Sequence, residues 1–144
     1  MILKSYIIEK DHSILSKFKS VLMYGENNGI KDDIKEKILK DSKNSEVINL
    51  FHEEIYNNKK ILDNFISNSS LFSKKKIIFI HEVSDKIFEE IFEALNDLKE
   101  DVKIFIFSNQ LEKRSKLRAH FEKIKDLGII ACYQDNEITL RNYI

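Results

Sequence analysis

The chain has 144 residues, 42% of them apolar and 33% charged, which suits one globular domain with a core and excludes a disordered chain. Lysine plus arginine and aspartate plus glutamate both number 24, so the net charge is zero and no overall basic field draws in nucleic acid or an acidic membrane. The single cysteine, Cys132, excludes an internal disulfide and a cysteine-rich metal site; no apolar stretch approaches the ~20 residues of a membrane span, and Glu9 and Asp11 follow Met1 too soon for a signal peptide, so the chain reads as cytoplasmic.

Strand-like apolar runs alternate with segments of helical period, the pattern of a parallel sheet with crossover helices. Val21-Leu22-Met23-Tyr24 runs into Gly25, and Ile30, Ile34 and Ile38 then recur along a helix. Residues 47–51 read as a buried strand, although Val47, Leu50, Phe51 and Ile55 also fit a helical stripe. Ile61, Leu62, Phe65 and Ile66 form an amphipathic pattern, and the run 77–80 is apolar on both faces, which belongs in the middle of a sheet. Asp85 is placed to cap a helix whose stripe is Ile87, Phe88, Ile91, Leu95 and Leu98, and 102–107 is the next buried strand. A helix from about Lys113 presents Leu117, Phe121 and Ile124, Gly128 serves as its stop, and 129–133 is the fifth strand. Asp135 or Asn136 can cap a last helix over 137–144, too short to be stable alone, so the chain reads as the front part of a longer protein.

Between the amphipathic pattern and the strand at 77–80 lies Ser69-Ser70-Leu71-Phe72-Ser73-Lys74-Lys75-Lys76, two large apolar side chains where a polar connection is expected. Leu71 and Phe72 are either the last plug of the core or an exposed anchor for another protein. Lys74, Lys75 and Lys76 read as a solvated lead-in to the strand.

A strand that ends in glycine and opens onto a helix invites comparison with a phosphate loop. Residues 25–32 fall in the register G-x-x-x-x-G-K-[S/T], with Gly25 and Lys31 in place. Ile30, however, stands where glycine lets the backbone wrap phosphates, and Asp32 puts a negative charge where a hydroxyl would hold magnesium. At the end of the strand 77–80, His81-Glu82 replaces the Asp-Glu pair that holds the metal and polarises water. This is the layout of a phosphate-loop domain without its chemistry; no cofactor is expected, and the rival reading is a small nucleotide-binding enzyme with a modified loop. His12, His52, His81 and His120 have no metal-ligand spacing. Arg114 reads as a surface residue rather than an arginine finger, and Asn109 as a turn or cap residue rather than a phosphate sensor. No serine, cysteine or carboxylate has a recognisable catalytic partner set.

Taken in order, Leu22-Met23-Tyr24-Gly25-Glu26, Ser70-Leu71-Phe72 with the basic residues and apolar strand behind it, residues 104–107, Lys113-Arg114-Ser115-Lys116-Leu117, and Cys132-Tyr133 leading to Leu140 and Ile144 resemble the N-terminal domain of the delta subunit of the bacterial DNA polymerase III clamp loader. Leu117-Arg118, Phe121-Glu122-Lys123 and Cys132-Tyr133 are most similar to alphaproteobacterial versions. The resemblance implies a three-layer α/β/α, AAA+-like fold with a five-stranded parallel sheet over residues 1–134, and the start of a helical lid domain at 135–144. It implies a non-hydrolysing accessory subunit that binds the sliding clamp (the beta subunit) and helps open it, with Leu71-Phe72, beside Ser70, entering an apolar pocket of the clamp. Some relatives have methionine two residues before the leucine; this chain has Ser69, which makes a smaller anchor. The other loader subunits would be joined through domains beyond this chain, DNA would be met weakly or through the complex, and the polymerase chemistry would reside elsewhere.

Overall fold

The structure is a computed structural model that describes residues 1–67 and 75–133. Six strands are found among the described residues: β1 (Ile2–Leu3), β2 (Ser20–Tyr24), β3 (Ser45–Phe51), β4 (Lys75–His81), β5 (Val102–Phe107) and β6 (Leu127–Ala131). They form one sheet in the order β1-β6-β2-β5-β4-β3, and every pairing is parallel. Six α-helices accompany them: α1 (Ser5–Lys10), α2 (Asn28–Lys40), α3 (His52–Asn57), α4 (Ile61–Ser67), α5 (Phe88–Asn96) and α6 (Lys116–Lys123). None of these helices is long and apolar enough to cross a membrane.

Side chains alternate across a strand, so an apolar run delivers two sets of residues to two faces, and both need cover. Val21, Met23, Phe79, Phe105 and Phe107 point to one face and pack with Ile8 of α1, Leu15 and Phe18 beyond it, and Ile34 and Ile38 of α2. Leu22, Ile78, Ile80, Ile104, Ile106 and Ile129 point to the other, under Ile55, Leu62, Ile66, Ile91, Leu95, Leu117 and Phe121 of α3 to α6. The α/β/α layering follows from that division. β3 is an edge strand with Ile48 and Leu50 buried and Val47 and Phe51 exposed, so the strand reading of 47–51 holds and the helical stripe does not.

The sheet has six strands rather than the five expected. β1 is only two residues long and pairs Ile2 with Ile129 and Leu3 with Ile130, too short a run to stand out as a strand pattern. Gly128 is not a helix stop but the second residue of β6, α6 having ended at Lys123. A Cβ at Gly128 would lie 3.1 Å from Leu3 Cδ1 and 3.3 Å from the Phe18 ring, a tight fit that a side chain enters only if these two give by a few tenths of an ångström. Lys76 is not a solvated lead-in: it is buried, and its Nζ donates to the Phe65 carbonyl, joining the start of β4 to α4.

Asp85 also caps a different helix from the one expected. Ser84 Oγ accepts from Lys86 N at the short 3-10 segment before α5. The Asp85 carboxylate instead reaches α6, accepting from Ser115 Oγ (2.8 Å), Lys116 N (2.9 Å) and Leu117 N (3.2 Å), where it satisfies amides that have no partner within the helix. Helix α6 therefore starts at Lys116, not near Lys113. Replacing Asp85 by Ala should destabilise the protein by about 1–2 kcal/mol in urea unfolding, with unchanged secondary structure. A loss within the roughly 0.5 kcal/mol of an ordinary surface substitution would show that the cap contributes nothing.

Candidate functional site

In a parallel sheet the carboxyl ends of the strands and the first turns of the following helices meet at one edge, where ligands of such folds gather. Here that edge holds a cleft of about 220 Å3 lined by Asn28, Lys31, Asp32 and Lys35 of α2, Phe51 at the end of β3, His81 and Glu82 at the end of β4, and Phe107, Ser108 and Asn109 at the end of β5. It is smaller than the ~300–1,000 Å3 of common small-molecule pockets. The sequence-derived residues Lys31, Asp32, His81, Glu82 and Asn109 are thus gathered on one cleft, while Gly25 lies in the turn before α2 and Ile30 in the first turn of α2, both outside its lining.

The β2–α2 turn is only three residues long, 25–27, because α2 already begins at Asn28. Gly25 has φ of 119°, and a Cβ there would sit 2.1 Å from the Cys132 carbonyl oxygen, so glycine is required twice over. Asn27 caps α2: its Oδ1 accepts from Ile30 N (3.1 Å) and its carbonyl from Lys31 N (3.3 Å). Its own N–H donates to the Cys132 carbonyl (3.0 Å) and its Nδ2 to the Tyr133 carbonyl (3.2 Å). Lys31 is buried, and its Nζ donates to the carbonyls of Gly25 (2.8 Å) and Ser108 (3.0 Å). Burial lowers its pKa, with Cys132 and Asp32 opposing. Ser108 Oγ lines the same cleft, buried and without a hydrogen-bond partner.

At the other end of the cleft His81 lies flat on Phe107 (5.3 Å between centroids) and beside Phe51 (5.0 Å). Its Nε2 is 2.9 Å from Asn49 Oδ1, an oxygen that also accepts from Lys35 Nζ at 2.9 Å. Lys35 Nζ is 3.4 Å from the same Nε2 and stands over the Phe79 ring. Desolvation first, and then the Lys35 ammonium, hold the His81 pKa below its ordinary value, with Glu82 and Asp32 opposing. Glu82 is exposed, and its φ of 57° turns the chain sharply out of β4.

Asn27, Lys35, Asn49 and Ser108 were not among the residues the sequence singled out. Asn27 carried a signal, an asparagine directly before a helical stripe; Asn49 carried none, because its part comes from β3 lying beside β4. The remaining histidines are scattered: His12 pairs with Asp41 (2.6 Å), His52 meets Ser84 Oγ (3.0 Å), and His120 packs among Phe88, Phe92 and Phe121. Among the described residues no three His, Cys, Asp or Glu side chains converge to hold a metal. Arg114 is exposed and pairs with Glu112 (2.9 Å). Ser70, Leu71, Phe72 and Lys74 lie outside the described residues.

No family model and no curated protein matches the sequence. Among solved structures, a clamp-loader protein has a similar fold. It is the DNA clamp loader delta protein of Bacillus subtilis (YqeN), similar at a TM-score of 0.71 with 10% sequence identity, over 96% of this chain and 45% of that one. At that identity the likeness is one of fold, and it gives the all-parallel α/β sheet a clamp-loader-delta-like architecture. This chain spans less than half the length of that neighbour. The alphaproteobacterial affinity read from the sequence gains nothing from a likeness to a Bacillus protein.

The depressed pKa of His81 gives stability a sign with pH. Because the unfolded histidine binds its proton more readily, stability is greatest above about 6.5 and falls as the pH drops toward the folded value. His120, lowered by burial and then by Lys19 and Lys123, acts in the same direction. Thermal melts from pH 7.5 to 5 should show this loss, and His81→Gln should shallow it; a variant with the same acid slope as the parent would remove His81 as a cause.

Proposed function

We propose that this chain is a clamp-loader delta-like domain that acts in DNA replication by binding and helping to open a sliding clamp, without hydrolysing nucleotide itself. The observation that carries the reading is the delta-like fold, matched over 96% of the chain; the sequence resemblance, which places Leu71-Phe72 opposite a clamp pocket, gives it a contact. The domain is proposed to span 1–134, with 135–144 opening a lid domain, to join its partner subunits through further domains, and to work in the cytoplasm. The alphaproteobacterial and polymerase III affinities remain part of the proposal.

Residues 68–74 link α4 in sequence to β4, whose first residue, Lys75, is at the amino-terminal edge of the sheet, while the cleft lies at the carboxyl edge. Seven residues of strand separate the two edges by roughly 20 Å. An anchor in that connection would contact the clamp without passing through the strand-end site. Opening the clamp then requires that the anchor bind the strained or open ring better than the closed one, since only differential affinity shifts such an equilibrium.

Replacing Leu71 or Phe72 by Ala should each cost about 2 kcal/mol of clamp affinity, roughly 30-fold, measured by calorimetry with the sliding clamp, with the melting temperature unchanged. Undiminished binding by the double variant would overturn the assignment, and loss of folding would return the pair to the core. A second reading, a nucleotide-binding enzyme, is favoured by Ser108 Oγ and by Lys35 on the cleft. Titration with magnesium and ATP separates the two, since saturable micromolar binding belongs only to the second.

A further inference from the structure

We infer that the β2–α2 turn is a built-in latch, in which Asn27 and Lys31 take from within the chain the bonds that a phosphate ligand would otherwise supply, and so fix the ends of β2, β5 and β6 with no ligand required. A helix amino terminus that receives a phosphate offers free N–H groups to it, and a phosphate-loop lysine reaches toward the anion. Here the Ile30 N–H is taken by the Asn27 side chain, while the Lys31 N–H makes the ordinary first-turn bond to the Asn27 carbonyl. The carboxamide oxygen thus occupies the position of an anion oxygen.

The same residue holds on to another strand. Asn27 N and Nδ2 bond to the carbonyls of Cys132 and Tyr133 at the end of β6, and Cys132 N returns a bond to the Tyr24 carbonyl (2.6 Å). This approach depends on the missing Cβ of Gly25. Lys31 closes the other side, linking the Gly25 carbonyl to the Ser108 carbonyl, while Gly25 N donates to the Asn109 carbonyl and Ser108 N to the Met23 carbonyl (2.9 Å). The edge contact of Tyr24 with Tyr133 and the stacking of Arg118 over Tyr24 complete the packing where the chain leaves β6. A cap that served α2 alone would need only the Oδ1 bond; the contacts to β6 and β5 belong to the latch.

Amide hydrogen exchange on the whole chain distinguishes a latch from a local cap. Lys31→Met should speed exchange of the Gly25 and Ser108 amides by about tenfold or more, and Asn27→Ala should do the same for Ile30, Asn27 and Cys132. Asn27→Asp is the milder variant: it keeps the oxygen that caps Ile30 and lacks the amide that donates to Tyr133, so Ile30 should stay protected while Cys132 exchanges faster. In the unaltered protein, magnesium with ATP at millimolar concentration should leave all these amides unchanged. Faster exchange confined to the first turn of α2 would overturn the latch, and so would saturable protection of the turn by ATP.

Discussion

Every connection in a parallel sheet has to climb back across one of its faces, and in this chain those connections supply the helices that cover the sheet. The constraint decides more than the layering. It sends all carboxyl strand ends to one edge and all amino ends to the other, so the strand-end cleft and the start of β4 at Lys75 fall at opposite edges of the sheet. A contact made at one edge is therefore separate from chemistry at the other, with β4, buried from Lys76 to Ile80, running between them.

The strand-end edge is organised by internal bonds. Gly25 lets the turn press against β6, the Asn27 side chain accepts from Ile30 N in the first turn of α2, and Lys31 bridges the ends of β2 and β5. Burying an ammonium is costly unless its hydrogen bonds are met, and here two backbone carbonyls meet them. Burial also pushes the neighbouring Cys132 thiol up to about 12, and burial followed by the Tyr133 contact pushes Tyr24 up to about 12, so neither adds a charge to this edge near neutral pH.

Much of the fold is legible because apolar strands buried on two faces leave a strong mark: 21–24, 77–80 and 102–107 all fall within such strands, 47–51 falls within an edge strand with one buried face, and the last strand differs by only two residues at each end. What escaped was non-local. Asp85 looked like the cap of the helix that follows it, and only the tertiary fold shows it on α6; Lys76 looked solvated because a lysine run usually is, yet α4 covers it. Gly128 reads as a stop in the sequence, which cannot show that Leu3 and Phe18 crowd it within β6. Motif register and the strand end located Lys31 and His81 on the cleft and Gly25 beside it, whereas Asn27 occupies a variable position of that motif, Lys35 lies one turn further along α2, and Asn49 arrives from β3. The Leu71-Phe72 pair is outside the described residues, so its role rests on sequence resemblance joined to a delta-like fold.

Binding of a sliding clamp through the segment that holds Leu71 and Phe72, with the strand-end cleft uninvolved, is the central proposal. Amide chemical-shift mapping of the labelled chain during titration with a sliding clamp tests this most directly. The predicted result is a set of perturbed resonances over residues 66–76, with the amides of 24–31 and 108–109 unmoved. Perturbation centred on the strand-end cleft, or no perturbation at saturating clamp, would contradict it.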